Sequence, residues 1–296
     1  MGTHTAAEPS AEASPAVVRR RDGAVLVLVN NDPDTRNATS PEMYAGLAAG
    51  LAEAAADPTV GAVVVTGAGG FFCAGGNLKR LAGRRELPLA ERRAQLEGLH
   101  GLIHAIRDCP KPVIAAVEGG AAGAGLSIAL ACDLLVSARN AFYAVAYVRV
   151  GLSPDGGATA FLAEFVSRQV LTELCLTGER VPAERLHALG AVNRLVDGGG
   201  AEAEAVALAT RLAEGPARAM ARIKTLCRAA PGAGLAAQLD LEADLMAESL
   251  GDDEAAEGIA AFFAKRPADF AALRNATGVH DAASSPAAPV AQPCSR

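Results

Sequence analysis

Two glycine-rich turns in the sequence have residue types that could bind an oxygen atom through backbone N–H groups. The first covers residues 66–78, with the letters TGAGGFFCAGGNL, and the second covers residues 118–127, with the letters EGGAAGAGLS. Small residues leave peptide N–H groups accessible, so two such turns could direct two donors at one oxygen, as an oxyanion hole does. Tight packing of a strand against a helix would favour the same small residues. Spacing alone leaves both interpretations open.

Neither turn has the spacing of a nucleotide-binding loop. The third glycine of a dinucleotide fingerprint would fall at Phe72 in the first turn and at Ile128 in the second. No Gly-Lys-Ser or Gly-Lys-Thr sequence is present, which argues against a phosphate loop of the Walker type.

One carboxylate lies in a setting suited to acid–base chemistry. Asp155 stands in the sequence GLSPDGG, which follows the second turn in the chain. A carboxylate held beside a substrate can accept a proton and return it. Pro-Asp-Gly is also a strong turn signal in its own right, so a purely structural role for Asp155 remains an alternative.

Ser127 offers a second, weaker candidate for chemistry. The sequence GLSIA around it resembles a nucleophile elbow, with alanine in place of the last glycine. A serine hydrolase would need a histidine partner, and His100, His104 and His187 are the candidates. A buried serine bonded to its own helix, or a polar group facing a substrate, is the favoured interpretation.

The elements that must position these residues alternate along the first two thirds of the chain. Short apolar runs predict strands, and periodic apolar residues between them predict helices, including a helix begun by Ser40-Pro41 and one over residues 89–108. Gly178 and Gly190 close two further predicted helices. The predicted strands are Val25–Val29, Val60–Thr66, Pro112–Val117 and Asp133–Ser137.

Beyond residue 200 the pattern is helical only, with breaks near Gly215-Pro216 and Pro231-Gly232. The sequence therefore predicts an α/β core over residues 16–200 and a helical lobe over residues 201–275. The ends, residues 1–15 and 276–296, are rich in Ala, Ser and Pro and are predicted to be disordered tails.

Composition excludes several classes of protein. The 296 residues carry 27 Lys and Arg against 33 Asp and Glu, a net charge of −6, which disfavours a nucleic-acid partner. No apolar run approaches the ~20 residues of a membrane span, and the amino terminus is not a signal peptide. The six cysteines form neither a CxxC pair nor a zinc-type cluster, so we expect no metal, reduced thiols and a cytoplasmic protein.

The sequence resembles a known family, the crotonase or enoyl-CoA hydratase/isomerase superfamily. The similarity covers about residues 17–270, and the order of its motifs is that of the family. The motifs are FCAGGNL at 72–78, PKPVIAAVEGGAAGAGLSIALACDLLVSA at 110–138, DPDTRNATS at 32–40, VGLSPDGGAT at 150–159, LTGERVPAERLHALGAVNRLV at 176–196 and FFAKRPADF at 262–270.

The resemblance implies a fold and an assembly. The expected fold is a spiral of ββα units with a carboxy-terminal helical region for trimerisation, so trimers, or hexamers built from two trimers, are expected. No cofactor is implied beyond the coenzyme A that arrives as part of an acyl-CoA substrate.

The resemblance also implies residue roles. The N–H groups of Gly76 and Ala124 should form an oxyanion hole for the thioester oxygen, which gains charge as an enolate forms. The carbonyl of Ala74 should face the adenine of CoA. The remaining residues assigned to substrate or CoA binding are Arg36, Asn77, Lys79, Ser127, Tyr147 and Lys265. The last of these would reach a CoA phosphate, either in its own subunit or in a neighbouring one.

The sequence departs from the hydratase pattern at two positions. Typical hydratases of the family use two glutamates, which fall here at Ser127 and Tyr147. Neither hydroxyl can replace a glutamate as acid or base at neutral pH, because its ordinary pKa is far too high. Asp155 matches the single acid of some family isomerases, including the phenylacetate-pathway enzyme that forms oxepin-CoA.

The function predicted from these residues is isomerisation of a double bond or ring in an acyl-CoA, with Asp155 as acid and base. An atypical hydratase or an acyl-CoA hydrolase of the same family is the first alternative. A non-catalytic acyl-CoA-binding protein is the second, and RNA binding is disfavoured by the net charge. The acyl group is not readable from the sequence.

Overall fold

The computed structural model describes residues 14–277, and of residues 275–277 the backbone alone. Of the predicted tails, residues 1–15 and 276–296, the parts at 1–13 and 278–296 lie outside the described residues. Nine strands and thirteen α-helices occur within this range. The strands are β1 Val17–Asp22, β2 Val25–Asn30, β3 Ala62–Gly67, β4 Val113–Val117, β5 Gly120–Ala122, β6 Leu134–Ala138, β7 Phe142–Ala144, β8 Val181–Pro182 and β9 Arg194–Val196.

The helices fill the intervals between strands and then the carboxy-terminal region. They are α1 Pro41–Ala56, α2 Leu78–Ala82, α3 Leu89–Ala94, α4 Glu97–Asp108, α5 Ala124–Ala131, α6 Ala158–Ala163, α7 Arg168–Thr177, α8 Ala183–Ala188, α9 Ala201–Ala213, α10 Ala217–Ala229, α11 Leu235–Leu250, α12 Asp253–Ala264 and α13 Phe270–Thr277. Three short three-ten helices cover Pro33–Thr35, Ala68–Gly70 and Ala146–Val150.

A six-stranded sheet with the order β1-β2-β3-β4-β6-β9 forms the centre of the molecule. All neighbours are parallel except β1 and β2. Its central strands are buried on both faces, which is why they read as continuous apolar runs in the sequence. Helices α1, α4 and α5 cover one face, and α9 covers the other.

A second sheet with the order β5-β7-β8 lies beside the first. An isolated bridge between Cys73 and Ala121 adds one residue of the first glycine-rich turn to its edge. Successive stretches of chain therefore contribute one strand to the large sheet, one to the small sheet and then a helix. This repetition is the predicted spiral of ββα units.

The four strands predicted from apolar runs are present with shifts of one or two residues. Ser40 caps α1 by accepting a hydrogen bond from the N–H of Met43, and Gly178 ends α7 in the left-handed conformation, as the sequence predicts. The prediction of a single helix over residues 89–108 is wrong. This stretch forms two helices, α3 and α4, separated at Gln95 and Leu96, and only α4 has a buried face.

The carboxy-terminal region has two different environments. Helix α9 packs on the large sheet, and it begins at the predicted boundary between core and lobe. Helices α10 and α11 contain no buried residue. Large apolar side chains of the lobe are exposed instead: Ile223, Leu235, Leu239, Met246, Leu250, Ile259, Phe262 and Phe263.

The cysteines at 73, 109, 132, 175 and 227 are free thiols. Burial raises the pKa of the Cys73 thiol to about 12, so this residue behaves as a small apolar group and not as a nucleophile. None of the helices in residues 14–277 combines the length and the hydropathy needed to cross a membrane.

Candidate active site

The two glycine-rich turns meet at the edge of the small sheet. The N–H of Phe72 donates to the carbonyl of Glu118, and the N–H of Ala122 donates to the carbonyl of Cys73 at 3.0 Å. A Cβ placed on Gly125 would lie 2.4 Å from the carbonyl oxygen of Cys73. Any side chain there would separate the turns, so the small residues allow this contact.

Gly75 and Gly123 set the direction of the peptide groups that follow them. Both have positive φ, 88° and 51° respectively. A Cβ on Gly75 would lie 2.5 Å from the carbonyl oxygen of Ala122 and 3.3 Å from the amide nitrogen of Ala124. Gly76 and Ala124 therefore follow two glycines whose backbones are in close contact.

The N–H groups of Gly76 and Ala124 are available to a ligand. Ala124 is the first residue of α5, where a helix N–H has no partner within the helix. The bridge beside Gly76 uses the carbonyl of Gly75, which accepts from the N–H of Thr39 at 2.8 Å. In residues 14–277 neither N–H donates a backbone hydrogen bond. This arrangement can bind one oxygen with two donors, as an oxyanion hole requires.

Asn37 holds the first turn in place, although the sequence analysis assigned no role to it. Its side chain donates to the carbonyls of Ala68 and Phe71 and accepts from the N–H of Asp32. Its own carbonyl accepts from the amide of Asn30. Asn37 is fully buried at a φ of 58°, a conformation that asparagine tolerates better than most residues. A buried polar side chain within a loop motif is the signal that could have identified it.

Asp155 lies in a loop and is held there by hydrogen bonds from two hydroxyl groups. The Tyr147 hydroxyl donates to Oδ1 of Asp155 at 2.8 Å, and the Ser127 hydroxyl donates to its backbone carbonyl at 3.0 Å. Tyr147 also approaches the second turn, because a Cβ on Gly123 would lie 3.8 Å from its Cζ atom. Tyr147 thus lies between Asp155 and the part of the second turn that comes just before Ala124.

The two residues after Asp155 pack closely against neighbouring side chains. Gly156 and Gly157 both have positive φ, and a Cβ on Gly156 would lie 2.8 Å from Leu99 and 3.1 Å from Cβ of Ser127. The same two glycines line a cavity of about 430 Å³. Its other lining residues are His100, Ile103, His104, Arg107, Asp108, Phe161 and Arg228.

Two tyrosines near Asp155 stay protonated over the physiological range. Burial, followed by the Asp155 charge, raises the pKa of Tyr147 far above its ordinary value. Burial likewise raises the pKa of Tyr44, on α1, to about 12. Both phenols can therefore donate hydrogen bonds and neither can act as a base near neutral pH.

The residues assigned to CoA lie around the first turn, with one exception. Arg36 is exposed over the ring of Phe71, its guanidinium carbon 5.7 Å from the ring centroid, and its carbonyl accepts from the N–H of Ala74. Asn77 caps α2 through its side-chain oxygen, and Lys79 is exposed in the first turn of that helix.

Lys265 is the exception. It is exposed at the end of α12, whose main contacts are with α11 and α13. Within one chain it belongs to the lobe and not to the two turns.

The serine-hydrolase alternative finds no support in the geometry. Among the described residues, the Ser127 hydroxyl donates to a carbonyl and not to an imidazole, and Nδ1 of His187 bonds to the carbonyl of Val192. Residues 14–277 also contain no group of three or more His, Cys, Asp or Glu placed to hold a metal ion.

Comparison with known proteins agrees with this geometry. The sequence model described as enoyl-CoA hydratase/isomerase matches residues 20–273. A putative enoyl-CoA hydratase of Thermus thermophilus is 38% identical over 254 residues, which cover 86% of this chain and all of that protein. The 1,2-epoxyphenylacetyl-CoA isomerase of Escherichia coli is 35% identical over 83% of this chain and 94% of that protein.

A solved structure extends the agreement to the fold. The crystal structure of an enoyl-CoA hydratase from Polaromonas sp. JS666 superposes with a TM-score of 0.82 at 47% identity, covering 85% of this chain and 98% of that one. The spiral of ββα units and the meeting of the two turns define a protein of the crotonase superfamily. Within that class, the chain belongs to the enoyl-CoA hydratase/isomerase family.

Proposed function

We propose that this enzyme isomerises an acyl-CoA thioester through an enolate, with Asp155 as its acid and base. The observation that carries the proposal is the kind of side-chain group present at the site. One carboxylate, that of Asp155, is joined through Tyr147 to the turn before the Ala124 N–H. Ser127 and Tyr147, which stand where the resemblance places two glutamates, supply hydroxyl groups only.

The proposed mechanism for a 3-enoyl-CoA moves one proton between two carbons. The thioester oxygen accepts hydrogen bonds from the N–H groups of Gly76 and Ala124. Asp155 removes a proton from C2, the electron pair of that C–H bond enters the conjugated system, and the oxygen gains negative charge that both donors stabilise. Protonated Asp155 then returns the proton to C4, which leaves the double bond between C2 and C3.

A single carboxylate suits this sequence because no water enters the product. Hydration needs a group that activates water and a group that protonates the adjacent carbon. The pKa values of Ser127 and Tyr147 prevent them from sharing those tasks with Asp155 near pH 7. Ring isomerisation uses the same enolate stabilisation, and the named activity of the 35% identical Escherichia coli relative supports it as a variant of the proposal.

A second candidate function is hydration with a water held by Asp155. The names of several relatives favour hydration, including those of the Thermus thermophilus protein and of the 2,3-dehydroadipyl-CoA hydratase of Escherichia coli, which is 31% identical. Hydrolysis of the thioester and binding without turnover remain the further alternatives.

For the substrate, we propose that the Ala74 carbonyl faces the adenine, with Arg36, Asn77 and Lys79 at the CoA entrance. For the assembly, we propose a trimer or a hexamer of two trimers. The exposed apolar side chains of the lobe support association, because a monomer would leave them in water. Such an assembly would also bring Lys265 toward the CoA phosphates of a neighbouring subunit. We propose a cytoplasmic location.

The test is a panel of paired CoA thioesters with the double bond at C3 or at C2. Gain of conjugated-thioester absorbance from 3-enoyl-CoA, without loss of absorbance from 2-enoyl-CoA, is the result expected of an isomerase. Loss of absorbance from 2-enoyl-CoA would identify a hydratase instead. Release of free thiol would identify a hydrolase, and calorimetric binding without any turnover would favour a binding protein.

A further inference from the structure

We propose that Ser127 and Tyr147 are positioning residues that hold Asp155 for proton transfer, and not residues that bind the acyl-CoA directly. We call the two hydroxyl groups of Ser127 and Tyr147 the hydroxyl clamp. This inference rests on the proposed role of Asp155, and it assigns to the clamp the orientation of that carboxylate.

The hydroxyl clamp fixes the main chain and the side chain of one residue from two separate elements. Ser127, on α5, bonds to the Asp155 carbonyl, and Tyr147, on the three-ten helix Ala146–Val150, bonds to its carboxylate. The same carbonyl also accepts from the Tyr147 hydroxyl and from the N–H of Ala158, each at 3.3 Å. A turn that served only to reverse the chain would need none of the side-chain donors.

The clamp leaves one carboxylate oxygen for chemistry. Tyr147 bonds to Oδ1, and in the part of the chain that the structure describes no hydrogen bond is made to Oδ2. Asp155 as a whole residue is half-buried. The geometry therefore assigns Oδ1 to positioning and Oδ2 to the exchange of a proton with the substrate carbon.

Tyr147 keeps its proton through the neutral range, because burial raises its pKa far above the ordinary value. It therefore donates its hydrogen bond to Oδ1 of Asp155 at every pH at which the enzyme would be assayed. Ser127 bonds to the backbone carbonyl, so the two hydroxyl groups hold different parts of Asp155.

The experiment measures kcat and KM for isomerisation of a 3-enoyl-CoA at neutral pH. In Tyr147→Phe, kcat should fall about tenfold with little change in KM, because the Asp155 carboxylate loses the hydrogen bond that holds it. Ser127→Ala should also lower kcat with little change in KM.

The matched control variant is Tyr143→Phe, the same change at a buried tyrosine of β7, which should leave kcat unchanged. An unchanged kcat in both clamp variants, each shown to be folded, would overturn the positioning role. A marked rise in KM alone would instead show that Tyr147 binds substrate. Full activity of Asp155→Asn would defeat the proposed function itself, a result distinct from all of these.

Discussion

The ammonium group of Lys224 on α10 lies 2.6 Å from the carboxylate of Asp133, the residue before β6. The same ammonium donates to the carbonyls of Cys109 and Lys111 at 2.7 Å each. Only 12% of the Lys224 side chain is exposed. One residue of the carboxy-terminal lobe thus satisfies three oxygens at the edge of the core, and its partners lie where β4 and β6 begin.

Lys224→Met should therefore destabilise the protein by about 3 kcal/mol, because it leaves a partly buried carboxylate and two carbonyls without their donor. Urea unfolding measures this free energy. Arg93→Met is the matched control, since Arg93 pairs with Glu97 while 70% exposed and should cost under about 0.5 kcal/mol. Equal effects of the two substitutions would contradict this account.

Asp155→Asn should reduce isomerisation by about a hundredfold or more, the contribution expected of a positioned acid–base group. Asparagine is a favourable turn residue, so the thermal midpoint of unfolding should change little. Asp197→Asn, a change of the same type at an exposed aspartate, should leave turnover intact. Equal activity in the two variants would show that Asp155 is a turn residue only.

Ala124→Pro should remove one oxyanion donor with little damage to the helix, because the first position of a helix accepts proline. The ring would replace the N–H that we propose binds the thioester oxygen. We expect kcat/KM to fall by about a hundredfold to a thousandfold. Ala217→Pro, at the first position of α10, is the matched control and should keep its activity.

The exposed phenylalanines of α12 should be buried in the proposed assembly. Phe262 and Phe263 are each 78% exposed in the single chain. The double variant Phe262→Glu with Phe263→Glu should sediment as a smaller species than the natural protein, because charge on an apolar contact surface opposes association. Ala49→Glu, on the exposed side of α1, should sediment unchanged. A natural protein that sediments as a stable monomer would contradict the trimer.

The ion pair between Glu257 and Arg266 should make the stability of the protein depend on pH. Hydrogen bonds from Arg266 and from the N–H of Asp269 lower the pKa of Glu257 from 4.5 to about 2. A carboxylate with a lowered pKa in the folded state adds stability above its unfolded pKa and loses it as pH falls. The stability difference between the natural protein and Glu257→Gln should therefore be full above about pH 4.5 and vanish near pH 2. A constant difference across this range would be the contrary result.

The large sheet was predictable because its strands are buried on both faces and so appear as unbroken apolar runs. The small sheet was not. Strands β7 and β8 have three residues and two, too few to show a period, and they pair only because the spiral brings Phe142 and Tyr143 beside Pro182 and Val181. The break between α3 and α4 was missed because no Gly or Pro marks Gln95 and Leu96.

Residues of the candidate site were predictable from the sequence where the backbone requires one residue type, such as glycine. Gly75 and Gly123 were visible as glycines, but their contact depends on the spiral. The bond between Tyr147 and Asp155 depends on a short three-ten helix and a turn with no periodic signal. Asn37 was visible in a family motif, yet its role follows only from the hydrogen bonds that its side chain and backbone make across two loops.

The position of α9 determines how much of the chain can fold by itself. Glu118, at the start of the second turn, accepts from the N–H groups of Gly199 and Ala201, so α9 is joined to that turn. A fragment ending at residue 200 would expose an entire face of the large sheet, including Val64 and Ile114. The shortest unit that keeps both faces of the large sheet covered therefore extends at least to the end of α9 at Ala213, and the last four helices still supply Lys224 to the edge of the core.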